Sequence, residues 1–577
     1  MDKKTLPLVI LLIVVIIFYG QILQFFGLTQ PAPATPQEGA TQVDSTLSAP
    51  RPTSPADHWA TTAEAPGTAQ DMPVAFQQEI VEGTASDSMT SDTVIITTNK
   101  LRIKLTSFGG GPASIKLKEY TYRDGAEIEM LQGAVRATPD IIFAGGTFST
   151  SSLQYEASLA PGEYDARQQP MELIYTHSIP EGGRITKRYL FYPDEYHYDL
   201  VFQVDGREYF GFERQYNLVW NTPLGVTEPQ PESDYEAMEA VAMMSGSREK
   251  LDDFDDDRLS QSLTGDASWA GVRQKYFAAV LVPQNRVAAG VFAQGSKQKV
   301  ATPDGRVEQR RIIVGLEMPF VNTTSFSDSI SVFVGPLDYT LLSKYHVDLE
   351  DMLDIGTTPF VGWIIKPFAI AIIWLLPRMY DVVPNYGLVI ILFALLVKFV
   401  TLPLSMKSFK SMQAMRELQP NIEELKKKHK KNPQVMNKEV MKLYKKHGVN
   451  PISGCLPMIP QMPLFFALFS VFRSTILLRD APFVWFMTDL SLGASSPTDP
   501  YIILVIIMVV AQFVSQKLTM PSTQQNKALG YIMPLFFGFI FYKFAAGLVL
   551  YWICFSIFSL LDYVLFKRKK NPHVAAA

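Results

Sequence analysis

Residues Tyr386 to Leu404 form a stretch apolar enough to span a bilayer, and it carries one charge, Lys398, just before a basic run that opens at Lys407. A segment crossing the hydrocarbon core must satisfy its own backbone polar groups, so this stretch is a helix if it crosses. An ionisable group inside such a helix costs about 3 kcal/mol on insertion scales, and it turns toward a partner, a water-filled cavity or the nearest interface. At helical spacing, Thr401 and Ser405 follow Lys398 on one face and make a polar track toward the basic end. Two readings stand side by side. The lysine stem can snorkel about two turns to the basic interface, or the charge can face a cavity inside a bundle.

The rest of the chain divides into contrasting populations. Of 577 residues, 47% are hydrophobic and 19% charged, a membrane-leaning balance with room for several domains. Residues 28–358 read as soluble, whereas the start and the last third are strongly apolar. The formal charge of -4 therefore says little about partners, because acidic groups gather in the soluble part and basic groups beside the membrane segments. The two cysteines, Cys455 and Cys554, lie in or beside apolar segments and imply no disulfide scaffold. At the start, Lys3 and Lys4 precede an apolar run that continues from Leu6 through Phe26, long enough to span. An uncleaved anchor over 1–27 fits better than a cleaved signal, although Ala32 and Ala34 form a cleavage-like pattern among prolines. Residues 28–92, rich in Pro, Thr and Ala, read as a flexible tether.

From residue 93 to 345 the pattern changes to alternation. Leu101, Ile103 and Leu105, and later Tyr196, Tyr198, Leu200, Phe202 and Val204, recur at period two. Further short runs, Phe277 to Val282, Arg311 to Leu316 and Ile330 to Val334, are separated by Gly, Pro, Asn and Asp. These features predict a large all-β sandwich. The acidic run Asp252, Asp253, Asp255, Asp256, Asp257 lacks the glycine and distal glutamate of a calcium loop and reads as a solvated loop.

Residues 346–384 form a linker containing the apolar, aromatic segment Pro359 to Tyr380, interrupted by Lys366-Pro367 and Pro377-Arg378. The positive-inside tendency favours an amphipathic helix on the outer face there rather than a span. The second span is then 385–404. Leu456 to Leu478, Tyr501 to Gln516 and Leu529 to Phe566, within 451–566, supply the later spans. The last run is too long for one span and contains Lys543-Phe-Ala-Ala-Gly547, so it reads as two helices joined by a tight outer turn. The expectation is a polytopic α-helical membrane protein with six spans, both termini inside, and a basic tail over 567–577.

Between the second and third spans, residues 405–450 form a basic helical hairpin with a turn near Asn432-Pro433. Lys426, Lys427, Lys428, Lys430 and Lys431 cluster in it, while Met412, Met415, Leu418, Ile422 and Leu425 recur as one apolar stripe. It is either a solvated antiparallel pair held near anionic lipid or a docking platform for ribosomal RNA or anionic chain regions.

No phosphate-cradling G-x-x-x-x-G-K-S/T loop and no H-E-x-x-H motif occurs, and all seven histidines lie outside the expected spans. Nucleotide hydrolysis by that route and a Ser-His hydrolase within the spans are thus unsupported, no cofactor or metal is implied, and an enzyme is not expected. Gln461, Gln512, Ser515, Tyr551 and Ser556 instead place polar groups in the other spans. Each can serve as a helix-packing hydrogen bond, or together with Lys398 they can line a hydrated groove open to the cytoplasm.

Several runs resemble the YidC/Oxa/Alb family of membrane protein insertases, in the Gram-negative form with a large outer domain. They are Trp269-Ala-Gly-Val-Arg-Gln-Lys-Tyr-Phe277, Met412 to Pro420, Asn450 to Pro457, Gln461-Met-Pro-Leu-Phe465, Leu478-Arg-Asp-Ala-Pro-Phe483 and Gly547-Leu-Val-Leu-Tyr-Trp552. The resemblance implies an inner-membrane insertase and chaperone with a periplasmic β domain, an interfacial helix, a cytoplasmic hairpin and a five-helix core around a hydrophilic groove. By position, Lys398 matches the positive groove residue, usually arginine; Ala394 replaces a common threonine, and Asp562 stands where a neutral amide is common. Thr401, Gln461, Gln512, Tyr551 and Ser556 become groove candidates, with Met462, Phe465 and Trp552 as apolar slide contacts. Implied partners are nascent membrane proteins, the Sec translocon (SecYEG and SecDF), the ribosome, the signal-recognition-particle receptor and anionic lipids, with a monomer sufficient. A small-solute transporter and a binding module merely anchored by helices are the competing classes; no internal repeat supports the first, and the second leaves the Lys398 track and the hairpin unexplained.

Overall fold

The computed structural model describes residues 92–570, apart from 132, 134–135, 144–147, 181, 207–214, 303–304, 321–324, 356–360, 430–431, 449–457, 497 and 520–523. The expected N-terminal anchor, the tether up to residue 91, Lys430, Lys431, Cys455 and residues 571–577 of the basic tail lie outside the described residues, and of Lys426 only the backbone is described.

The alternating segments are strands of two sheets. A five-stranded sheet runs in the order Glu127–Glu129, Gly111–Thr121, Leu101–Thr106, Thr93–Thr97, Gly162–Asp165. Leu101, Ile103 and Leu105 are buried on one face of it while Arg102 and Lys104 stay exposed, the outcome period two requires. The larger sheet is built on long antiparallel pairs. Arg184–Phe191 pairs with His197–Asp205 from Arg184↔Asp205 to Phe191↔Tyr198, and Ala288–Thr302 pairs with Gly305–Pro319 from Gly290↔Glu317 to Thr302↔Gly305. Tyr198, Leu200, Phe202 and Val204 all point inward, and Phe277–Pro283 and Ser325–Pro336 carry the other two expected runs. Side chains from both sheets share one core, so the domain is a β-sandwich. The acidic run is a tight hairpin turn with Asp256 and Asp257 at positive φ, and Lys250 sits 2.7 Å from Asp252.

The last third is helical. Gly362–Val382 (α1) buries Ile365, Ala369, Ile372, Ile373 and Leu376 and exposes Trp363, Phe368 and Trp374. Pro367 and Pro377 do not break it, and it is long and apolar enough to cross a membrane, as are Tyr386–Glu417 and Ala546–Val564. A proline deletes a single backbone donor, which neighbouring helices compensate. Tyr386–Glu417 (α2), capped by the Asn385 side chain accepting from Leu388 N at 3.0 Å, likewise passes through Pro403. The expected boundary at residue 404 is therefore not a break: Lys407 and Lys410 ride on the same helix as Lys398. Gln419–Lys428 (α3) and Pro433–Lys446 (α4) make the hairpin, the latter capped by Asn432.

Met458–Ser474 (α5), Ile502–Thr519 (α6), Gln524–Phe541 (α7) and Ala546–Lys570 (α8) follow. The long apolar run from Leu529 is thus two helices with a turn at 542–545. The loop between α5 and α6 crosses that turn: Ala546 N donates to Leu492 O at 2.7 Å and Gly547 N to Leu490 O at 2.9 Å. These bonds satisfy donors that a helix start leaves without intrahelical partners.

Candidate functional site

Helix α2 brings Lys398 against α8. The lysine is 5% exposed, and its ammonium donates to Ser559 Oγ at 3.0 Å, approaches Asp562 Oδ2 at 3.0 Å and lies 5.0 Å from the centre of the Phe555 ring. Its aligned donor goes to the serine, and the carboxylate contact is a charge pair. Tyr551, Phe555, Ser559 and Asp562 succeed one another at steps of four, four and three, so they form one stripe of α8. The geometry gives Lys398 partners on the facing helix, Ser559 and Asp562. A buried ammonium needs such compensation, since transfer from water costs several kcal/mol per ion.

The polar track beyond Lys398 closes on its own helix. Thr401 Oγ1 donates to Val397 O at 2.9 Å, and Ser405 Oγ donates to Thr401 O at 3.1 Å. Their protons are committed to the backbone, which leaves oxygen lone pairs as what they offer a visitor.

The other candidates pair off. Gln461 Nε2 on α5 donates to Tyr551 Oη on α8 at 3.3 Å, and the tyrosine ring, wholly buried, stacks on Phe555 and meets Phe393 of α2. Trp552 Nε1 donates to Gln512 Oε1 on α6 at 2.6 Å, which joins a slide candidate to a groove candidate. Phe465 packs edge-on against Trp552 with ring centres 5.2 Å apart, whereas Met462 is exposed. Ser556 is buried on α8 outside these pairs. Among the docking lysines, Lys427 and Lys428 are exposed on α3 while Ile422 and Leu418 face inward. Arg416 donates to Tyr563 Oη at 3.1 Å and to Leu518 O, tying the end of α2 to α8 and α6.

Sequence reasoning missed Ser559 altogether and left Asp562 without a role. The signal was present: both share the Tyr551 stripe, and a carboxylate in an apolar helix calls for a cation on a facing one. Among the described residues no group of three or more His, Cys, Asp and Glu could hold a metal ion.

Two family models match the chain: "60Kd inner membrane protein" over residues 378–573 and "YidC periplasmic domain" over residues 93–371. Curated relatives described as "Membrane protein insertase YidC" include that of Chlorobium luteolum, 35% identical and covering 73% of this chain and 71% of the relative. Those of Chlorobaculum tepidum (34%, covering 82% and 81%) and Chlorobaculum parvum (31%, covering 97% and 93%) are similar over still more of their length. A solved structure titled "Active YidC insertase crystal structure with the first transmembrane domain resolved" aligns with 85% of this chain and 96% of its own at 18% identity and a TM-score of 0.35. With its two family models falling in order on the β-sandwich and the helical third, the chain belongs to the YidC family of membrane protein insertases.

Proposed function

We propose that this chain inserts inner-membrane proteins and helps them fold, alone or with the Sec translocon, by letting their polar segments enter a hydrophilic groove among α2, α5, α6 and α8. The observation that carries the reading is Lys398, a charge buried within the apolar stretch of α2 and held by Ser559 and Asp562 across the bundle. Family membership supports the reaction class, and the polar pairs among these helices support the proposed location. Six spans are counted, with the first over 1–27, α1 lying at the outer interface and both termini in the cytoplasm.

In this reading a nascent segment first meets the hairpin, where the exposed Lys427 and Lys428 with Lys426, Lys430 and Lys431 attract ribosomal phosphates, the signal-recognition-particle receptor or anionic lipid. Its polar end then exchanges hydrogen bonds with Gln461, Tyr551, Gln512, Thr401 and Ser556, which lowers the cost of bringing polar backbone into the bilayer. Its apolar part leaves past Met462, Phe465 and Trp552 into lipid. Transfer of apolar surface, about 25 cal/mol per Å², drives the step without nucleotide hydrolysis, and a monomer suffices.

The test is insertion of a single-span substrate with an acidic outer tail into liposomes holding the purified chain, comparing wild type with Lys398→Ala and Lys398→Glu. Insertion by wild type and its loss in Lys398→Glu support the charged groove. Equal insertion by all three removes Lys398 from the mechanism, and no insertion by folded wild type defeats autonomous insertion.

A further inference from the structure

The lysine expected to receive acidic groups from a passing segment is already occupied. Its ammonium has Ser559 on one side, the Phe555 ring below and the Asp562 carboxylate at 3.0 Å, and the side chains of the pair are 7% and 16% exposed. Asp562 is fixed in place by the helix that carries the rest of the contact: Phe555, Ser559 and Asp562 lie on one stripe of α8, and Ser559 Oγ donates in turn to Phe555 O at 2.8 Å. The resting site is thus a neutral ion pair rather than a free positive charge.

We infer that Asp562 is a specificity-determining residue of this site, an internal counter-ion that lowers the groove's preference for segments bearing carboxylates. The inference rests on the insertion reading above and names what that site selects. A carboxylate entering the groove gains Lys398 only by displacing Asp562, and the displaced aspartate, mostly shielded by α2 and α8, must then find water or another donor. Removing one partner from a shielded pair is costly because it leaves a charge uncompensated. A neutral polar segment faces no such exchange, since it hydrogen-bonds to the pair from outside without parting it. The acid at 562 therefore narrows the difference between acidic and neutral cargo that a lone cation at 398 creates. Arginine at 398 would hold the acid by a bidentate fork; lysine, a point donor on a flexible stem, releases it more easily.

The experiment uses the full chain in liposomes with no imposed membrane potential and two single-span substrates that differ only in an outer tail carrying aspartates or asparagines. The quantity read is the ratio of acidic-tail to neutral-tail insertion, which does not depend on how much protein is folded. Asp562→Asn is expected to raise that ratio about fivefold, equivalent to about 1 kcal/mol. Asp562→Glu, which restores the charge, returns it toward the wild-type value. In a Lys398→Gln background Asp562→Asn raises the ratio less than in wild type, because no cation is then freed for the passing carboxylate and only relief of like-charge repulsion remains. Should Asp562→Asn not fold, the exchanged pair Lys398→Asp with Asp562→Lys decides the matter: it keeps the wild-type ratio if neutrality of the pair is what counts. An unchanged ratio in Asp562→Asn, the same rise without Lys398, or a raised ratio in the exchanged pair overturns the inference while insertion itself stands. Failure of folded wild type to insert either substrate defeats autonomous insertion, and the inference with it.

Discussion

Arg479 Nε donates to Glu228 Oε1 at 2.7 Å across 251 positions of sequence, with 5% and 1% of the two side chains exposed. The same guanidinium donates through Nη2 to Thr121 O at 3.0 Å, so a loop residue that follows α5 is locked into the β-sandwich. Asp234 orders the carboxylate's backbone by accepting from Thr227 N and Glu228 N. The contact is one of the places where the β-sandwich is fastened to the helical part, with Lys543 and Glu232 3.8 Å apart at another.

Arg479→Ala is expected to destabilise that fastening by about 3 kcal/mol, because it strands a buried carboxylate. Burial already pushes the Glu228 carboxyl above its usual range, against the pull of Arg479 and Lys275. Without the arginine it rises further, and protonation then relieves the stranded charge, so the penalty shrinks as pH falls. Arg479→Met with Glu228→Leu costs less than Arg479→Ala alone. Limited proteolysis of the purified chain at two pH values reads both effects.

Lys187 yields a pH dependence of opposite origin. It lies wholly buried on the core face of Arg184–Phe191, donates to Gly109 O at 2.8 Å and has its pKa pushed down to about 8 by burial, with Asp140 partly opposing. Between that value and the unfolded value of about 10.4, the unfolded chain binds more protons, so stability rises as pH increases through the window. Protection of the Arg184–Phe191 amides in hydrogen exchange, corrected for intrinsic rates, should grow by about 1–2 kcal/mol from pH 8 to about 9.5 in wild type. In Lys187→Met that slope should vanish.

The strands were legible because one face of each is wet: Arg102 and Lys104 between Leu101, Ile103 and Leu105 leave a single register. By the same alternation Lys187 falls inward between Ile185 and Tyr189, a signal present but unread. Helix ends were harder. Prolines 367, 377 and 403 resemble stops, yet each removes one donor from a helix whose neighbours supply the packing. The pairing of Lys398 with Ser559, 161 positions away, and that of Arg479 with Glu228 depend on how elements meet, which no local period encodes. What the sequence did show at Lys398 was a charge within an apolar stretch, which turns toward a partner, a cavity or the nearest interface.

Gly493 tests the crossing of the loop over the turn between α7 and α8. A Cβ there would meet Lys543 C and O at 2.5 Å and Phe544 O at 2.8 Å, all backbone atoms that cannot swing aside. Gly493→Ala must therefore lift the loop and loosen the bonds from Ala494 N to Tyr542 O and from Ala546 N to Leu492 O. A loss of about 1–3 kcal/mol follows, visible as a lower melting temperature and faster exchange of the Ala546 and Gly547 amides.

Tyr551 and Trp552 separate packing from polarity within the candidate groove. The hydroxyl of Tyr551 receives one long bond from Gln461, worth about 1 kcal/mol or less, whereas its ring fills space between Phe393 and Phe555. Tyr551→Phe should fold with a small drop in melting temperature, and Tyr551→Ala should lose about 3–5 kcal/mol through the cavity it opens. Trp552→Phe keeps most of the contact with Phe465 but deprives Gln512 of a 2.6 Å bond on a half-buried amide, at a cost of about 1–2 kcal/mol. Melting curves order the three variants, and insertion assays on the folded ones add a second reading. If Tyr551→Phe loses far more insertion than its stability change explains, the hydroxyl serves the passing segment directly; if insertion tracks stability across all three, the pairs hold the helices together and the polar work falls to Lys398 and its partners on α8.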